Sequence, residues 1–246
     1  MNSVSMSWRA AVLGLGLLSL SCGAWADGPM PLPFGPVGPE AHAPWHVTGL
    51  PNQTKPYTKF SVVDLDGHRA VRVEAESSYG NLVYPLELKA VPAALSWRWR
   101  VEELIDADDL RQRSTDDNAI KVCVSFDMPI DKVPFLERQL LRSARGRTNE
   151  PVPSASVCYV WDAHLPVGTS LDNAFTRRIR YKVLQSGPAH LHQWMSERRN
   201  VGADFLELFG GESSEVPPVI GVAVGADSDN THTHSLAHVA DVVIEP

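Results

Sequence analysis

Two aspartates set two residues apart, Asp227 and Asp229, stand where an apolar run over residues 220–226 breaks into the polar loop Asp227-Ser-Asp229-Asn230-Thr231. On an extended backbone, side chains two apart point the same way. The two carboxylates, the Asn230 amide and the Thr231 hydroxyl then form a patch of hard oxygen ligands, the chemistry that calcium takes. The spacing is that of the start of a calcium loop, without the later Gly and Glu of an EF-hand. The blander reading is a turn, because Asp and Asn bond their own backbone and tolerate left-handed φ. Both readings stand at this level. Loops carried by a rigid scaffold are where binding chemistry concentrates, which favours a site.

Asp116 and Asp117 precede a second strand-like run, Asn118–Phe126. If both loops lie at one end of a sheet, four carboxylates converge. They would bind a cation, or two of them would share one proton as acid and base. Asp116 alone reads as a solvated loop residue; Asp117 abuts the strand and is the better candidate. His232, His234 and His238 share a face on an extended strand, where imidazoles beside carboxylates can hold zinc, but exposed loop histidines are the stronger reading.

Trp97, Trp99 and Trp161 would stack on sugar rings if exposed. The first two sit on one face of an alternating strand and read as core, whereas Trp161 ends its strand and is the candidate stacking surface. Arg98, Arg100, Arg177, Arg178 and Arg180 would grip a carboxylate or pair with local acids. No G-x-S-x-G elbow and no phosphate-binding glycine loop occurs in the chain, so nucleophile and nucleotide chemistry have little support.

The elements that must position these residues are mostly strands. Residues 58–65 and 69–74 flank Asp66-Gly67, a two-residue hairpin signal. Further strands are expected over 82–88, 95–101, 118–126, 156–161, 177–184, 220–226 and 237–244, from period-two alternation and apolar runs between turn residues. Two stretches change to helical spacing: Val133–Arg145, and Pro188–Phe209, which ends at Gly210-Gly211. Residues 27–56 are rich in Pro and Gly and read as an extended lead-in without regular ladders, tied to the core by Trp45 and Leu50. The expectation is a signal peptide (1–26), the lead-in (27–56) and one domain (57–246). That domain is mainly β, a jelly-roll or lectin-like antiparallel β-sandwich with two helical insertions.

Residues 1–26 carry Arg9, an apolar stretch over 10–20 and Ala24-Trp25-Ala26, the anatomy of a secretory leader. The stretch is too short to span a bilayer. Cys22 lacks an aliphatic residue three positions earlier, where Ser19 stands, so lipidation is the minor alternative. Removing Arg9 leaves 21 basic against 29 acidic residues, a poor composition for nucleic acid or an anionic membrane. The mature chain is expected in the periplasm or outside the cell, with no integral membrane segment. Export makes a Cys123–Cys158 disulfide and two separate packed thiols equally open.

Several short motifs occur in a fixed order: Trp97-Arg-Trp-Arg-Val, Asp116-Asp117-Asn-Ala, Tyr159-Val-Trp161, Pro166-Val-Gly168-Thr, Glu197-Arg-Arg-Asn-Val with Asp204-Phe, Phe209-Gly and Asp227-Ser-Asp229-Asn230-Thr231. Together they resemble the bacterial domain-of-unknown-function 3047 family over roughly residues 45–246. Ser228 departs mildly from that family's pattern, and His232-Thr-His234 more. The resemblance implies export and a β-sandwich, and it supplies no reaction. The first expectation is therefore a module binding a glycan or another small polar, polyhydroxylated ligand. Asp117, Asp227, Asp229, Asn230 and Thr231 form its cleft, with calcium on Asp227 and Asp229. The alternative is a glycan hydrolase or lyase using Asp227 or Asp229 as acid or base.

Overall fold

The computed structural model describes Met1 and residues 28–88, 91–148 and 151–245. The expected signal peptide beyond Met1, and Cys22 with it, lie outside the described residues. The elements run β1 (Met30–Pro31), β2 (His46–Thr48), β3 (Lys59–Leu65), β4 (His68–Glu76), β5 (Tyr79–Pro85), β6 (Ala94–Glu103), β7 (Asn118–Phe126), α1 (Phe135–Arg145), β8 (Ala155–Asp162), β9 (Ser170–Asp172), β10 (Ile179–Ser186), β11 (Met195–Arg199), α2 (Val201–Phe209), β12 (Val219–Asp227) and β13 (His234–Glu245). One sheet is ordered β11-β6-β13-β4-β3, with β1 on β13; the other is β2-β5-β12-β7-β8-β10-β9. The fold is the expected β-sandwich, with one departure from a wholly antiparallel plan: β10 runs parallel to β8.

Alternation builds the core. Val71 and Val73 of β4, Trp97, Trp99 and Val101 of β6, and Val239 of β13 face Ile120, Val122 and Val124 of β7 and Val222 and Val224 of β12. Asp66 and Gly67 close the β3–β4 hairpin at φ 50° and 82°, the positive values that a two-residue turn requires.

Trp161 corrects the sequence reading. It is 0% exposed, lies 6.1 Å from the Trp99 ring and donates its indole N–H to the Gly187 carbonyl at 3.1 Å. Parity decides this: Trp161 shares the face of Val157 and Tyr159, which points into the sandwich, so it offers no stacking surface.

The helix expected from Pro188 begins only at Val201. Residues 195–199 instead form β11 on the edge of β6. Met195, Glu197 and Arg199 are half-buried and alternate with exposed neighbours, a period of two that five residues cannot distinguish from a helical turn. The Pro/Gly-rich lead-in also does more than expected. Its ends form β1 and β2 at sheet edges, where proline is tolerated. Leu32 and Phe34 are buried, as is Trp45, whose ring lies 4.8 Å from that of Phe34. Leu50 stays exposed.

Cys123 and Cys158 are direct cross-strand partners on β7 and β8 and form a disulfide. No helix among the described residues is long and apolar enough to cross a membrane.

Candidate functional site

Lys121, Cys123 and Ser125 of β7 face away from the space between the sheets, Cys123 within a second, smaller hydrophobic cluster with Cys158, Tyr181 and Ala223. With Tyr79, Asn81 and Val83 of β5, Gly221, Ala223 and Asp227 of β12, and Ile179 and Tyr181 of β10, they line a groove of about 560 Å³. It runs across the outer face of the second sheet. β12 contributes the small residues Gly221 and Ala223 to its floor. A Cβ on Gly225 would come within 2.2 Å of Asn81 Oδ1 and 3.0 Å of Lys121 Cε. Leu50 and Lys55 flank one side, Phe175 and Thr176 the other.

The groove ends in the aspartates. A register shift between β12 and β7 at Gly225–Asp227 inserts a residue and re-aims the strand end, a common use of a bulge. It brings Asp227 against β7: Oδ1 accepts from the Asn118 backbone N–H at 3.1 Å, from the Asn118 amide, and from Lys121 Nζ at 3.1 Å. Asp229 is held by Lys55, whose Nζ also donates to the Asp229 carbonyl at 3.3 Å. The carboxylates of Asp117, Asp227 and Asp229 each place an oxygen within 4.8 Å of the others. The two loops do share one end of the sandwich.

Their roles differ from the sequence expectation. Asp117 is fully buried and saturated. Oδ1 accepts from the Asn230 backbone N–H (3.2 Å) and side-chain amide (3.1 Å), and Oδ2 from the Thr231 N–H (2.7 Å) and hydroxyl (2.6 Å). Asn230 and Thr231 thus serve chiefly to close the loop around Asp117. Ser228 completes the closure. It is buried, donates its N–H to the Ser78 carbonyl at 2.9 Å, and its hydroxyl accepts from the Ser78 N–H at 3.4 Å.

Asp116, which the sequence reading set aside, lines the groove. Its Oδ2 accepts from the Asn173 amide, while its Oδ1 is buried with no donor among the described residues. Asn118 Oδ1 is in the same state. Burial pushes the Asp116 carboxyl up to about 6, with Lys121 and Asn173 opposing and Asp117 and Asp229 adding to the rise. Burial likewise pushes Asp227 up to about 7, against the pull of Lys121 and with the push of Asp117 and Asp116. Burial is also the largest influence on Lys121 and pulls it down, but Asp227, Tyr79 and Asp116 together leave it raised. The two directions are compatible: one ammonium group serves several carboxylates, so it stays charged while an acid beside it is left under-compensated.

Lys121, Asn173 and Tyr181 were also missed. A lysine in the middle of an apolar strand, on the parity opposite Ile120 and Val122, was the available signal. The other polar candidates sit elsewhere. His234 contacts Glu103 at 2.9 Å and Glu74 at 3.3 Å, away from the aspartates. Arg98 donates to His68, and Arg100 to Asp66 and Glu102. Arg178 and Arg180 are buried on Glu212.

A family described as "Protein of unknown function (DUF3047)" matches residues 43–243. The chain belongs to that family. The motifs of this DUF3047 chain divide between two tasks. The two aspartate motifs build the groove end. Those around Tyr159, Arg199 and Asp204 anchor α2: Asp204 accepts from Tyr159 Oη (2.9 Å) and from Arg199 Nε (2.9 Å) and Nη2 (2.6 Å), while Asn200 caps the helix through the Ala203 N–H (2.8 Å).

No functionally curated protein matches the chain. Similar solved structures include endoglucanase 3 of family GH12 from Trichoderma harzianum, 11% identical, TM-score 0.41, covering 83% of this chain and 98% of that one. A CBM61 module in complex with β-1,4-galactotriose is 11% identical, TM-score 0.35, over 83% and 90%. The xyloglucanase domain of NopAA, a type three effector from Sinorhizobium fredii in complex with cellobiose, is 9% identical, TM-score 0.38, over 84% and 100%.

Proposed function

We propose that this DUF3047 chain is exported and binds a glycan or similar polyhydroxylated ligand in the outer-face groove, with calcium at the Asp227–Asp229 end. The observation that carries the reading is Asp116, a groove-lining carboxylate whose buried Oδ1 has no donor among the described residues. A buried acceptor left unpaired is costly, and a ligand hydroxyl supplies the donor. Tyr79, Val83, Ile179 and the exposed Phe175 offer apolar surface to the C–H faces of sugar rings.

Calcium rests on the same logic. Three carboxylates lie within reach of one ion; Asp117 is already engaged by Asn230 and Thr231, so Asp227 and Asp229 would be the ligands, with the unpaired acceptors of Asp116 and Asn118 nearby. Two of the carboxylates are held by Lys121 and Lys55, so calcium binding would displace ammonium groups, and protonation of Asp227, raised to about 7, would weaken it as pH falls. The disulfide is in keeping with export.

A second reading is favoured by one observation. Asp116 and Asp227 sit in the same groove with carboxyls raised to about 6 and about 7, which suits a general acid and its partner in glycan cleavage.

The test is a thermal-shift series on the protein with calcium, EDTA and a panel of soluble polysaccharides, repeated with Asp116→Asn and Asp229→Ala. A ligand at about 100 times its Kd adds about 2.7 kcal/mol of stability. The binding reading requires a shift with some glycan that Asp116→Asn abolishes. Absence of any shift removes it, and release of reducing ends from a polysaccharide moves the assignment to the enzyme.

A further inference from the structure

Asp108 and Asp162 are a second pair of buried carboxylates, and two segments bring them together. Asp162 ends β8, and its Oδ1 accepts from the backbone N–H groups of His164 (2.7 Å) and Leu165 (2.5 Å). Asp108 lies on the loop between β6 and β7. His164 fastens that loop to the turn after β8, donating from Nε2 to the Asp106 carbonyl at 2.8 Å. Leu110 and Leu165 share one apolar cluster and hold the same two segments together. Burial, and after it the Asp162 charge, pushes the Asp108 carboxyl up to about 8, with His164 and the Ala163 N–H opposing. Asp108 therefore faces Ala163, on the turn that Asp162 caps at His164 and Leu165.

The pair lacks partners. Asp108 is 5% exposed and Asp162 1%. Each keeps one buried oxygen, Asp108 Oδ1 and Asp162 Oδ2, with no donor among the described residues. Other buried aspartates are compensated. Asp204, Asp227 and Asp229 are each held by a lysine or arginine, and Asp117 takes four donors. Among the described residues, no lysine or arginine pairs with Asp108 or Asp162. Arg111 is the cation that senses Asp162, and its guanidinium is committed to Asp109 at 2.7 Å. Buried charges are ordinarily paired or bound to metal.

We propose that Asp108 Oδ1 and Asp162 Oδ2 bind a hard divalent cation of calcium-like chemistry, which braces the loop leading to Asp116 and Asp117. Carboxylate oxygens suit such an ion, and calcium accepts carbonyl and water oxygens beside them in irregular geometry. Two carboxylates and one divalent ion are neutral together, so the charge that burial penalises is cancelled. The bracing is local. The Asp109 N–H donates to the Thr115 carbonyl at 2.9 Å, and Asp116 follows Thr115 in the chain. An ion on Asp108 thus fixes the base of the loop whose end walls the groove. This site does not depend on the calcium proposed at Asp227 and Asp229. A single proton on the pair is the competing occupant.

The experiment is terbium luminescence with calcium competition on the full chain at pH 8, in wild type, Asp229→Ala, Asp108→Asn and Asp162→Asn. Trp161 precedes Asp162, so exciting tryptophan sensitises terbium at this site. The expected result is a calcium-reversible signal that survives Asp229→Ala and loses at least tenfold in affinity in Asp108→Asn and in Asp162→Asn. Thermal midpoints in EDTA separate loss of the ion from loss of the fold. Asn keeps the volume of Asp without its charge, so Asp108→Asn should match or exceed wild type there. Calcium should then raise the midpoint of Asp229→Ala and leave that of Asp108→Asn unchanged. Absence of any calcium response in Asp229→Ala overturns the proposal, as does binding that neither asparagine variant weakens. A midpoint that rises in Asp108→Asn while calcium shifts no variant also overturns it and assigns the pair to a shared proton.

Discussion

Asp116 and Asp117 are chain neighbours with opposite bonding. Asp117 takes four donors from Asn230 and Thr231. Asp116, which lines the groove, takes one from Asn173 and keeps a buried oxygen without a donor among the described residues. One residue of offset separates the lock of the loop from the wall of the cleft.

That difference predicts unequal variants. Asp117→Ala strands four donors at a buried site and should cost about 3–5 kcal/mol. Asp116→Asn keeps the volume and removes a carboxyl that burial already disfavours, so stability should change by less than about 1 kcal/mol. Urea unfolding midpoints at constant m-value decide the matter. A mild Asp117→Ala would show that the loop closes without this lock.

Acid should stabilise the fold in a defined window. Asp116 and Asp227 are raised to about 6 and about 7, and Asp108, mainly by burial and then by Asp162, to about 8. A carboxyl raised in the folded state binds protons there that the unfolded chain has already released. Its contribution is therefore complete below the unfolded pKa, near 4, and fades as pH rises through the folded value. Thermal midpoints should rise as pH is lowered from 8 to 5. The Asp108→Asn variant should flatten the upper part of that slope and Asp116→Asn the lower. A midpoint that falls from pH 8 to pH 5 contradicts the assignment.

The disulfide should matter to stability. It joins residues 35 apart in sequence on adjacent strands, and Cys123 and Cys158 line the groove. Reduction, or Cys123→Ser/Cys158→Ser, should cost roughly 2–4 kcal/mol. Unfolding curves with and without reductant measure this, and thiol titration of the native protein should find neither cysteine free.

Much of the fold was legible because strand periodicity is local. The β7 boundaries, the Asp66-Gly67 hairpin and the burial of Trp97 and Trp99 follow from period two and turn chemistry alone. The strands missed were short and edge-bound. β1, β2, β9 and β11 have between two and five residues, too few to show a period, and each exists because a longer neighbour supplies the ladder. The site was legible in part. The spacing of Asp227 and Asp229 marked the loop that ends the groove, and its meeting with Asp116-Asp117 was expected if both loops lay at one end of a sheet.

The sequence by itself determined the alternation that makes a sandwich, the acidic motifs and the cysteine positions. Only the tertiary structure decided which aspartate faces the groove, that Trp161 faces inward, and that Lys121 serves Asp227. Those outcomes depend on register and on which face of a sheet is covered. A shift of one residue reverses a side chain, and the bulge between β12 and β7 is set by the pairing of strands about a hundred residues apart. No local pattern carries that information.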